Sequence, residues 1–310
     1  MTPFLRLLRP VNLLMIIVTQ CIIKYGFFAH FNVDITLSIL GFIFLTLATV
    51  CIAAGGYIIN DIYDSTADKI NKPSSRIVGV SIDPSKARFF YYLFTFTGIG
   101  FGFVLSAMIF KPLYILYFVG ISLGLYIYSR FLKTVPLVGN ILVSLIVGAS
   151  ILIVGVFEVL PQMDSLNRVS QIISFNILRD IAIFAVIINF LREVVKDIED
   201  IQGDHVARFR TLAIVLGVKR TAQITAVLTL AAIALITMYT FSHLFNEKWT
   251  VGVMFFGVIA PLGYVSAQLW EATNKKQFSR LSLLLKIIMF IGICAIPLIS
   301  YTLEHVITTS

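Results

Sequence analysis

Three carboxylates follow a long apolar run in the stretch Asn60-Asp61-Ile62-Tyr63-Asp64-Ser65-Thr66-Ala67-Asp68. They are spaced three and then four residues apart, so a helix that advances about 100° per residue places all three on one face. Three like charges at the end of an apolar helix repel one another, and a bound cation relieves that repulsion. The same spacing recurs after another long apolar run, at Asp197, Asp200 and Asp204.

The composition is that of an integral membrane protein. Hydrophobic residues make up 58% of the chain and charged residues 13%, and the mean hydropathy is +0.94. A soluble domain is about 25% charged, so a soluble fold is excluded. A helix crosses a bilayer in about 20 apolar residues, which predicts nine spans. Their approximate bounds are 11–29, 36–59, 89–110, 113–128, 135–157, 172–191, 222–243, 250–270 and 283–303.

The fold class predicted from these spans is all-α, a polytopic membrane bundle of nine transmembrane helices. We expect a single domain over residues 1–310, with acidic clusters at 60–68 and 197–204. Asp61 to Asp197 and Asp68 to Asp204 are both offset by 136 residues. The equal offset predicts an internal duplication, with two pseudo-repeated halves around a central cavity, as in many membrane proteins.

The basic residues are distributed unevenly between the two sides of the membrane. With the N-terminus placed inside, 18 of the 24 Lys and Arg residues fall on one side. An excess of Lys and Arg marks the cytoplasmic side. We therefore expect an integral protein of the cell membrane, in contact with membrane lipid. Its N-terminus and active site should lie on the cytoplasmic side. The net charge of +8 reflects this bias and gives no reason to expect a nucleic-acid partner.

Basic residues follow the first acidic cluster at once, at Lys69, Lys72 and Arg76. An ordinary solvated loop is one explanation for these charges. A magnesium-bound diphosphate is the other, because carboxylates hold the metal while Lys and Arg bind the remaining phosphate oxygens. We expect the loops at about 60–88 and 192–220 to cap a cavity that both clusters share.

Other polar residues near this membrane face have two possible roles. Arg9 is either a positive-inside anchor or, with Asn12 three residues later, part of the cavity mouth. Tyr128 belongs either to an interfacial aromatic belt or to the site. Lys133 follows the fourth span on the same side, where a phosphate would be within reach.

Three polar residues interrupt predicted spans, and one glycine marks a predicted helix end. Lys24 and Lys286 interrupt the first and last spans, and we expect them to snorkel or to face the bundle interior. Asn140 lies inside a span and needs a partner on another helix. Gly203 is expected to end the helix that carries the second cluster.

These motifs resemble those of the UbiA superfamily of intramembrane prenyltransferases. The first signature of that family matches Asn60, Asp61, Asp64 and Asp68 without a gap. Its second signature is similar to the run Lys196-Asp197-x-x-Asp200-x-x-Gly203-Asp204. The nine predicted spans also fit the helical plan of the family.

The resemblance implies an enzyme in which Mg²⁺ ions bind the diphosphate of an isoprenoid donor. The catalytic and metal-binding residues would be Asp61, Asp64, Asp68, Asp197, Asp200 and Asp204. We predict substrate binding by Asn60, Arg9, Asn12, Lys69, Lys72, Arg76, Tyr128, Lys133 and Lys196. The metal would stabilise the departing diphosphate, and apolar helices would shield the allylic cation from water. The isoprenoid tail is expected among spans rich in Gly and Phe, near Gly100 and Gly102.

Within the superfamily the chain is most similar to the geranylgeranylglyceryl phosphate geranylgeranyltransferases, also called digeranylgeranylglyceryl phosphate synthases. The likeness lies in Leu8-Arg9-Pro10-Val11-Asn12, in Asp68-Lys69-Ile70-Asn71-Lys72-Pro73 and in Arg192-Glu193-Val194-Val195-Lys196. Ser74-Ser75-Arg76 departs from the Arg-Pro pair usual there. The resemblance implies a geranylgeranyl diphosphate donor and a lipid acceptor, the hydroxyl of geranylgeranylglyceryl phosphate, in ether-lipid synthesis.

Two other functions remain open. The acceptor would instead be aromatic, a quinone, haem or chlorophyll precursor, if the subfamily resemblance fails. A cation transporter that uses the six aspartates as its ion pathway is an alternative of another class. Against transport, the aspartates are predicted at the membrane face, and no acidic residue near the centre of a span continues a route across.

Overall fold

The computed structural model describes residues 2–29, 31, 33–245 and 247–309, with side chains as far as Thr302. Within this part of the chain, nine helices are long and apolar enough to cross a membrane. They are α1 Pro10–Phe27, α2 Ile39–Tyr63, α3 Pro84–Met108, α4 Pro112–Arg130, α5 Val138–Gln162, α6 Arg168–Glu199, α7 Val218–His243, α8 Lys248–Glu271 and α9 Lys275–Cys294. A further helix, α10, runs from Ile296 to Thr309. The predicted all-α bundle with nine membrane helices is confirmed.

Two helices extend beyond the spans that hydropathy predicts. The helix α2 continues to Tyr63, and α6 runs for 32 residues to Glu199. Hydropathy measures the length that lies in lipid, whereas helical hydrogen bonding continues wherever polar side chains find water or a partner. Both acidic clusters therefore begin on the last turn of a membrane helix.

The predicted last span, 283–303, is wrong in its bounds. The helix α9 begins at Lys275, because Asn274 caps it and accepts a hydrogen bond from Gln277 N at 3.0 Å. It ends at Cys294. The apolar residues beyond belong to α10, which packs against the Ile22–Phe27 segment of α1.

Small residues let α2 and α3 approach closely, as the sequence indicates. A Cβ added at Gly55 would lie 2.5 Å from Thr95 Oγ1, and one added at Gly98 would lie 2.7 Å from Ile52 Cγ1. No side chain fits at either position without moving its neighbour. This contact fixes α2, and with it the first acidic cluster.

Two large apolar cores share the helix α6. One is built among α6 to α9 and includes Leu191, Leu262 and Leu285. The other is built mainly among α1, α2, α5 and α6 and includes Leu45 and Leu178. Burial of apolar side chains in both cores fixes α6 along its length.

The two acidic clusters are built on the same local structure. Each long helix, α2 or α6, ends one residue before a capping aspartate, Asp64 or Asp200. A short helix begins at the next residue, Ser65–Asn71 in one case and Ile201–Val206 in the other. These landmarks keep the 136-residue offset, and the two short helices pack against each other. The recurrence supports the predicted duplication at the site.

Loop contacts place both clusters at one end of the bundle. Arg210 N, in the loop after α6, donates to Lys133 O, in the loop after α4, at 3.3 Å. Lys275 Nζ, at the start of α9, donates to Asn71 O at 2.8 Å. At the opposite end, Thr36 N donates to Glu158 O at 3.0 Å.

Candidate active site

The first acidic cluster is neutralised by bases from two other elements. Arg9 Nη2, before α1, lies 2.5 Å from Asp61 Oδ1. Lys133 Nζ contacts both carboxylate oxygens of Asp64. Asn60 Nδ2 donates to Asp64 Oδ2 at 2.7 Å. The N-terminal segment and the α4–α5 loop are therefore tied to the end of α2.

A lysine links the two acidic clusters. Lys72 Nζ lies 3.6 Å from Asp200 Oδ2 and 3.9 Å from Asp68 Oδ1. In the second cluster, Asn140 Nδ2 donates to Asp197 Oδ2 at 2.8 Å. The expected helix-to-helix partner of Asn140 is thus one of the predicted metal ligands.

Asn71 and Gly203 join the two short helices. Asn71 Oδ1 accepts a hydrogen bond from Gly203 N at 2.8 Å, and Asn71 Nδ2 donates to Asp200 O at 2.7 Å. A Cβ added at Gly203 would lie 2.5 Å from Asn71 Cγ. The prediction that Gly203 ends its helix is wrong. It lies inside Ile201–Val206, where the absence of a side chain permits this close contact.

A polar cavity of about 60 Å³ lies between the clusters. Five of the six predicted aspartates line it: Asp64, Asp68, Asp197, Asp200 and Asp204. Asp61 is not among the lining residues, because its carboxylate is turned to Arg9. The predicted substrate-binding residues at this cavity are Arg9, Asn60, Lys72, Tyr128, Lys133 and Lys196.

Burial and repulsion from neighbouring carboxylates oppose ionisation of two cavity residues, Asp204 and Asp68. Burial, followed by the charges of Asp197 and Asp200, raises the pKa of Asp204 to about 8. Burial also raises the pKa of Asp68, against the opposing effect of Lys72. For Lys72, burial disfavours the ammonium, but Asp200 and Asp68 outweigh it and the pKa is raised. A divalent cation in the cavity would favour the ionised carboxylates and reverse the shift of Asp204.

The oxygen atoms of the cavity suit a hard divalent cation. Asn60 Oδ1 and Asp200 Oδ1 are buried, and neither accepts a hydrogen bond from any described residue. Buried acceptors without a donor are costly, and Mg²⁺ prefers such oxygen ligands. Among the described residues no three Asp, Glu, His or Cys side chains converge closely enough to hold one ion. Lys133 and Lys72 instead contact Asp64 and Asp200, so metal binding would displace them.

Three predicted substrate-binding residues lie away from this cavity. Lys69 is exposed and lines neither this cavity nor the larger one beside it. Arg76 Nη2 donates to Gly79 O within its own loop at 3.2 Å. Asn12 lines a second, larger cavity. The roles of Asn12, Lys69 and Arg76 stay predictions.

The second cavity, of about 260 Å³, adjoins the first. Most of its wall is apolar, with Met15, Ile52, Phe118, Leu125, Val147, Ile153 and Met289. Five residues line both cavities: Arg9, Asn60, Tyr128, Glu193 and Lys196. Gly100 and Gly102, where the isoprenoid tail was expected, do not line it, and Gly102 packs against the ring of Phe118.

Sequence reasoning missed two residues that organise the site, Asn71 and Phe209. Asn71 lies three residues after Asp68, a spacing that places both on one helical face and was the available signal. Phe209 and Tyr128 lie beside the Lys133 ammonium, with ring centroids 5.7 and 5.3 Å away. These cation–π contacts hold Lys133 in place, and no sequence pattern announces them.

The chain is similar to known proteins over most of its length. Residues 23–294 match the UbiA prenyltransferase family. The digeranylgeranylglyceryl phosphate synthase of Methanobrevibacter smithii is 30% identical over 98% of this chain and 99% of the relative. The enzyme of that name from Hyperthermus butylicus is 32% identical over 80% and 78%.

Two solved structures show the same fold. A structure of digeranylgeranylglyceryl phosphate synthase has a TM-score of 0.62 at 24% identity, over 96% of this chain and 98% of that one. A UbiA homologue from Archaeoglobus fulgidus, bound to DMAPP and Mg²⁺, has a TM-score of 0.55 at 15% identity, over 95% and 99%. On the family match and the two sequence relatives, the chain belongs to the UbiA prenyltransferase family of integral membrane proteins.

Proposed function

We propose that this protein transfers the geranylgeranyl group of geranylgeranyl diphosphate to the hydroxyl of geranylgeranylglyceryl phosphate, with Mg²⁺, in ether-lipid synthesis. The observation that carries the proposal is the convergence of five aspartates and three lysines on one cavity that opens onto apolar space. The names of the two sequence relatives support this acceptor.

The polar cavity would hold the metal and the diphosphate. Asp64, Asp68, Asp197, Asp200 and Asp204 are the residues that would hold Mg²⁺. Bound there, Mg²⁺ would supply Lewis-acid stabilisation of the charge on the leaving diphosphate. The UbiA homologue from Archaeoglobus fulgidus, which has the same fold, was solved with DMAPP and Mg²⁺, which supports the assignment.

Lys133 and Lys72 would bind the diphosphate itself. Both ammonium groups now neutralise cavity carboxylates. If those carboxylates held a metal ion, the lysines would be free to donate to phosphate oxygens. A fixed cation at the leaving group stabilises the transition state more than the ground state, because charge grows there as the bond breaks.

The apolar cavity would receive the allylic carbon and exclude water. Transfer breaks the bond between that carbon and the diphosphate oxygen. The diphosphate departs with the bonding electron pair, the acceptor oxygen forms the ether bond to the carbon, and the hydroxyl proton passes to solvent. Water would compete with the acceptor for the carbocation. The apolar side chains of the cavity, among them Ile52 and Met289, keep water out and so prevent hydrolysis of the donor.

We place the site on the cytoplasmic side of the cell membrane. The loops with most of the basic residues share one end of the bundle with both acidic clusters. By the positive-inside rule that end is cytoplasmic. A single cysteine introduced into the 60–88 loop tests this placement. A membrane-impermeant thiol reagent should label it in inverted vesicles and leave it unlabelled in right-side-out vesicles.

An assay of purified protein in detergent tests the proposed function. Radiolabelled geranylgeranyl diphosphate is offered with geranylgeranylglyceryl phosphate or with aromatic acceptors, with and without EDTA. We expect one ether product from the lipid acceptor, lost with EDTA and restored by Mg²⁺. Product from an aromatic acceptor alone, or product that persists without divalent metal, contradicts the proposal.

A further inference from the structure

A second group of cations lies in the apolar cavity, apart from the aspartates. Lys286 Nζ, in the middle of α9, donates to Asn12 Oδ1 of α1 at 2.6 Å. Arg192 of α6 lines the same cavity, as do Asn12 and Lys286. None of these three side chains lines the polar cavity. Snorkelling and a position facing the interior were the two alternatives expected for Lys286, and it faces the interior.

The charges around Lys286 do not balance. Asp61 neutralises Arg9, and Glu193 is shared by Arg192, at 2.6 Å, and Lys196, at 3.7 Å. Lys286 has no carboxylate among the described residues within ion-pair distance, and the charges that act on it most are those of Arg192 and Arg9. A lone cation inside a membrane span is costly and marks a functional site.

Hydrogen-bond donors in this group also lack acceptors. An ammonium has three N–H donors, and Asn12 takes one from Lys286. Arg192 Nη1 donates to Glu193, whereas Arg192 Nε is buried and has no acceptor within the described part of the chain. Unused donors beside a surplus of positive charge are complementary to an anion with several oxygens.

We infer that Lys286 and Arg192, with Asn12, bind the phosphate monoester of the lipid acceptor. The inference rests on the proposed function and specifies its substrate class: an acceptor with a phosphate head and an apolar chain. The donor diphosphate has its own cations, Lys72 and Lys133, in the polar cavity. The residues that line both cavities lie between the diphosphate site and the proposed phosphate site. This arrangement brings the acceptor beside the allylic carbon.

Steady-state kinetics with two acceptors test the site. The acceptors are geranylgeranylglyceryl phosphate and the same lipid without its phosphate, each with geranylgeranyl diphosphate and Mg²⁺. The variants are Lys286→Met, Lys286→Arg and the control Lys276→Met, an exposed lysine on the same helix.

We expect Lys286→Met to raise the KM for the phosphorylated acceptor about tenfold, because the loss of one charge-assisted hydrogen bond weakens binding by about that factor. The KM for the donor should stay within about twofold. On the acceptor without phosphate, Lys286→Met and wild type should agree, because the group that Lys286 binds is absent. Lys286→Arg should retain most of the affinity, and Lys276→Met should behave as wild type.

Equal losses on both acceptors, or a raised KM for the donor, would overturn the inference. Gel filtration and thermal unfolding show whether Lys286→Met folds. If it does not, the KM values of the wild-type enzyme for the two acceptors provide the test. Equal KM values for the two acceptors then overturn the site, whereas a lower KM for the phosphorylated acceptor, with competitive inhibition by inorganic phosphate, supports it. No product with either acceptor contradicts the proposed function itself. Product formed without preference for the phosphate contradicts only the site.

Discussion

Asn71 Oδ1 accepts a hydrogen bond from Gly203 N at 2.8 Å, across the two short helices that follow the acidic clusters. Asn71 is 8% exposed, and its other amide atom donates to Asp200 O. Lys275 of α9 donates to the Asn71 carbonyl oxygen. One side chain and its own backbone therefore tie together the two short helices and the start of α9. The spacing between the aspartate clusters depends on this contact.

Replacing Asn71 with Ala should separate the clusters without removing a carboxylate. The change leaves the buried Gly203 N–H without an acceptor, which costs about 1–3 kcal/mol. We expect kcat/KM to fall about 100-fold, since small displacements of catalytic groups have effects of that size. Kinetics and thermal unfolding in detergent measure both effects. Gln202→Ala, an exposed neighbour on the Ile201–Val206 helix, is the control, and equal activity in the two variants contradicts the role of Asn71.

Replacing Gly203 with Ala should have a similar effect for a steric reason. The new methyl group would lie 2.5 Å from Asn71 Cγ, so the two short helices must move apart. At an open helical position the same change stabilises by about 1 kcal/mol. Gly263→Ala in α8, where a Cβ meets nothing within 4 Å, is the matched control. A Gly203→Ala protein with wild-type turnover would show that the helices have room to adjust.

The carboxylates of Asp64 and Asp200 should be essential for turnover but not for folding. Asp64→Asn and Asp200→Asn keep the shape of each side chain and remove the charge that would hold Mg²⁺. Each should reduce product formation to background, with a melting temperature close to that of wild type. Glu271→Gln, exposed at the end of α8, removes one negative charge elsewhere and should have no effect. Wild-type activity in either variant removes that cluster from the mechanism.

Much of the fold was predictable because its signals are local. Apolar runs of membrane length predicted nine helices, and the equal spacing of the two clusters predicted the repeated structure at Asp64 and Asp200. The bounds of α9 were missed, since hydropathy passes over the Asn274 cap and the break after Cys294.

Long-range partners were not predictable in the same way. Arg9 and Lys133 contact Asp61 and Asp64 from 52 and 69 residues away, and no periodicity relates such positions. Glycine is ambiguous in sequence, because both a helix end and a close helix contact favour it. Gly203 belongs to the second class, which only its contact with Asn71 reveals.

Lys133 should oppose metal binding and favour diphosphate binding. Its ammonium contacts both Asp64 oxygens, so Lys133→Met frees a metal ligand. We expect calorimetry to show equal or tighter Mg²⁺ binding without donor. The KM for the donor should rise about tenfold through the lost charge-assisted hydrogen bond. Lys69→Met provides the comparison, since Lys69 is exposed and lines neither cavity. Weaker binding of both Mg²⁺ and donor in Lys133→Met would argue for a purely structural role.

A buried ion pair at the opposite end of the bundle should stabilise the fold without affecting the site. Lys24 Nζ lies 2.5 Å from Glu158 Oε1, with side chains 3% and 0% exposed. Lys24 also donates to Leu37 O, and Glu158 Oε2 accepts from Leu37 N at 2.9 Å. Removal of one partner leaves a buried charge unpaired, which costs about 3–5 kcal/mol. We therefore expect Lys24→Met and Glu158→Gln each to lower the free energy of unfolding by that amount in SDS titrations.

The double variant separates an ion pair from two independent contacts. Lys24→Met with Glu158→Gln removes both charges, so its loss should be smaller than the sum of the single losses by about 2 kcal/mol. The exposed pair Arg179–Asp180, 3.0 Å apart with side chains 51% and 31% exposed, is the control. Its removal should cost less than about 1 kcal/mol. Strictly additive losses at Lys24 and Glu158 would show that each acts through Leu37 alone. Turnover below the melting temperature should match wild type, because the pair lies at the end of the bundle away from the aspartates.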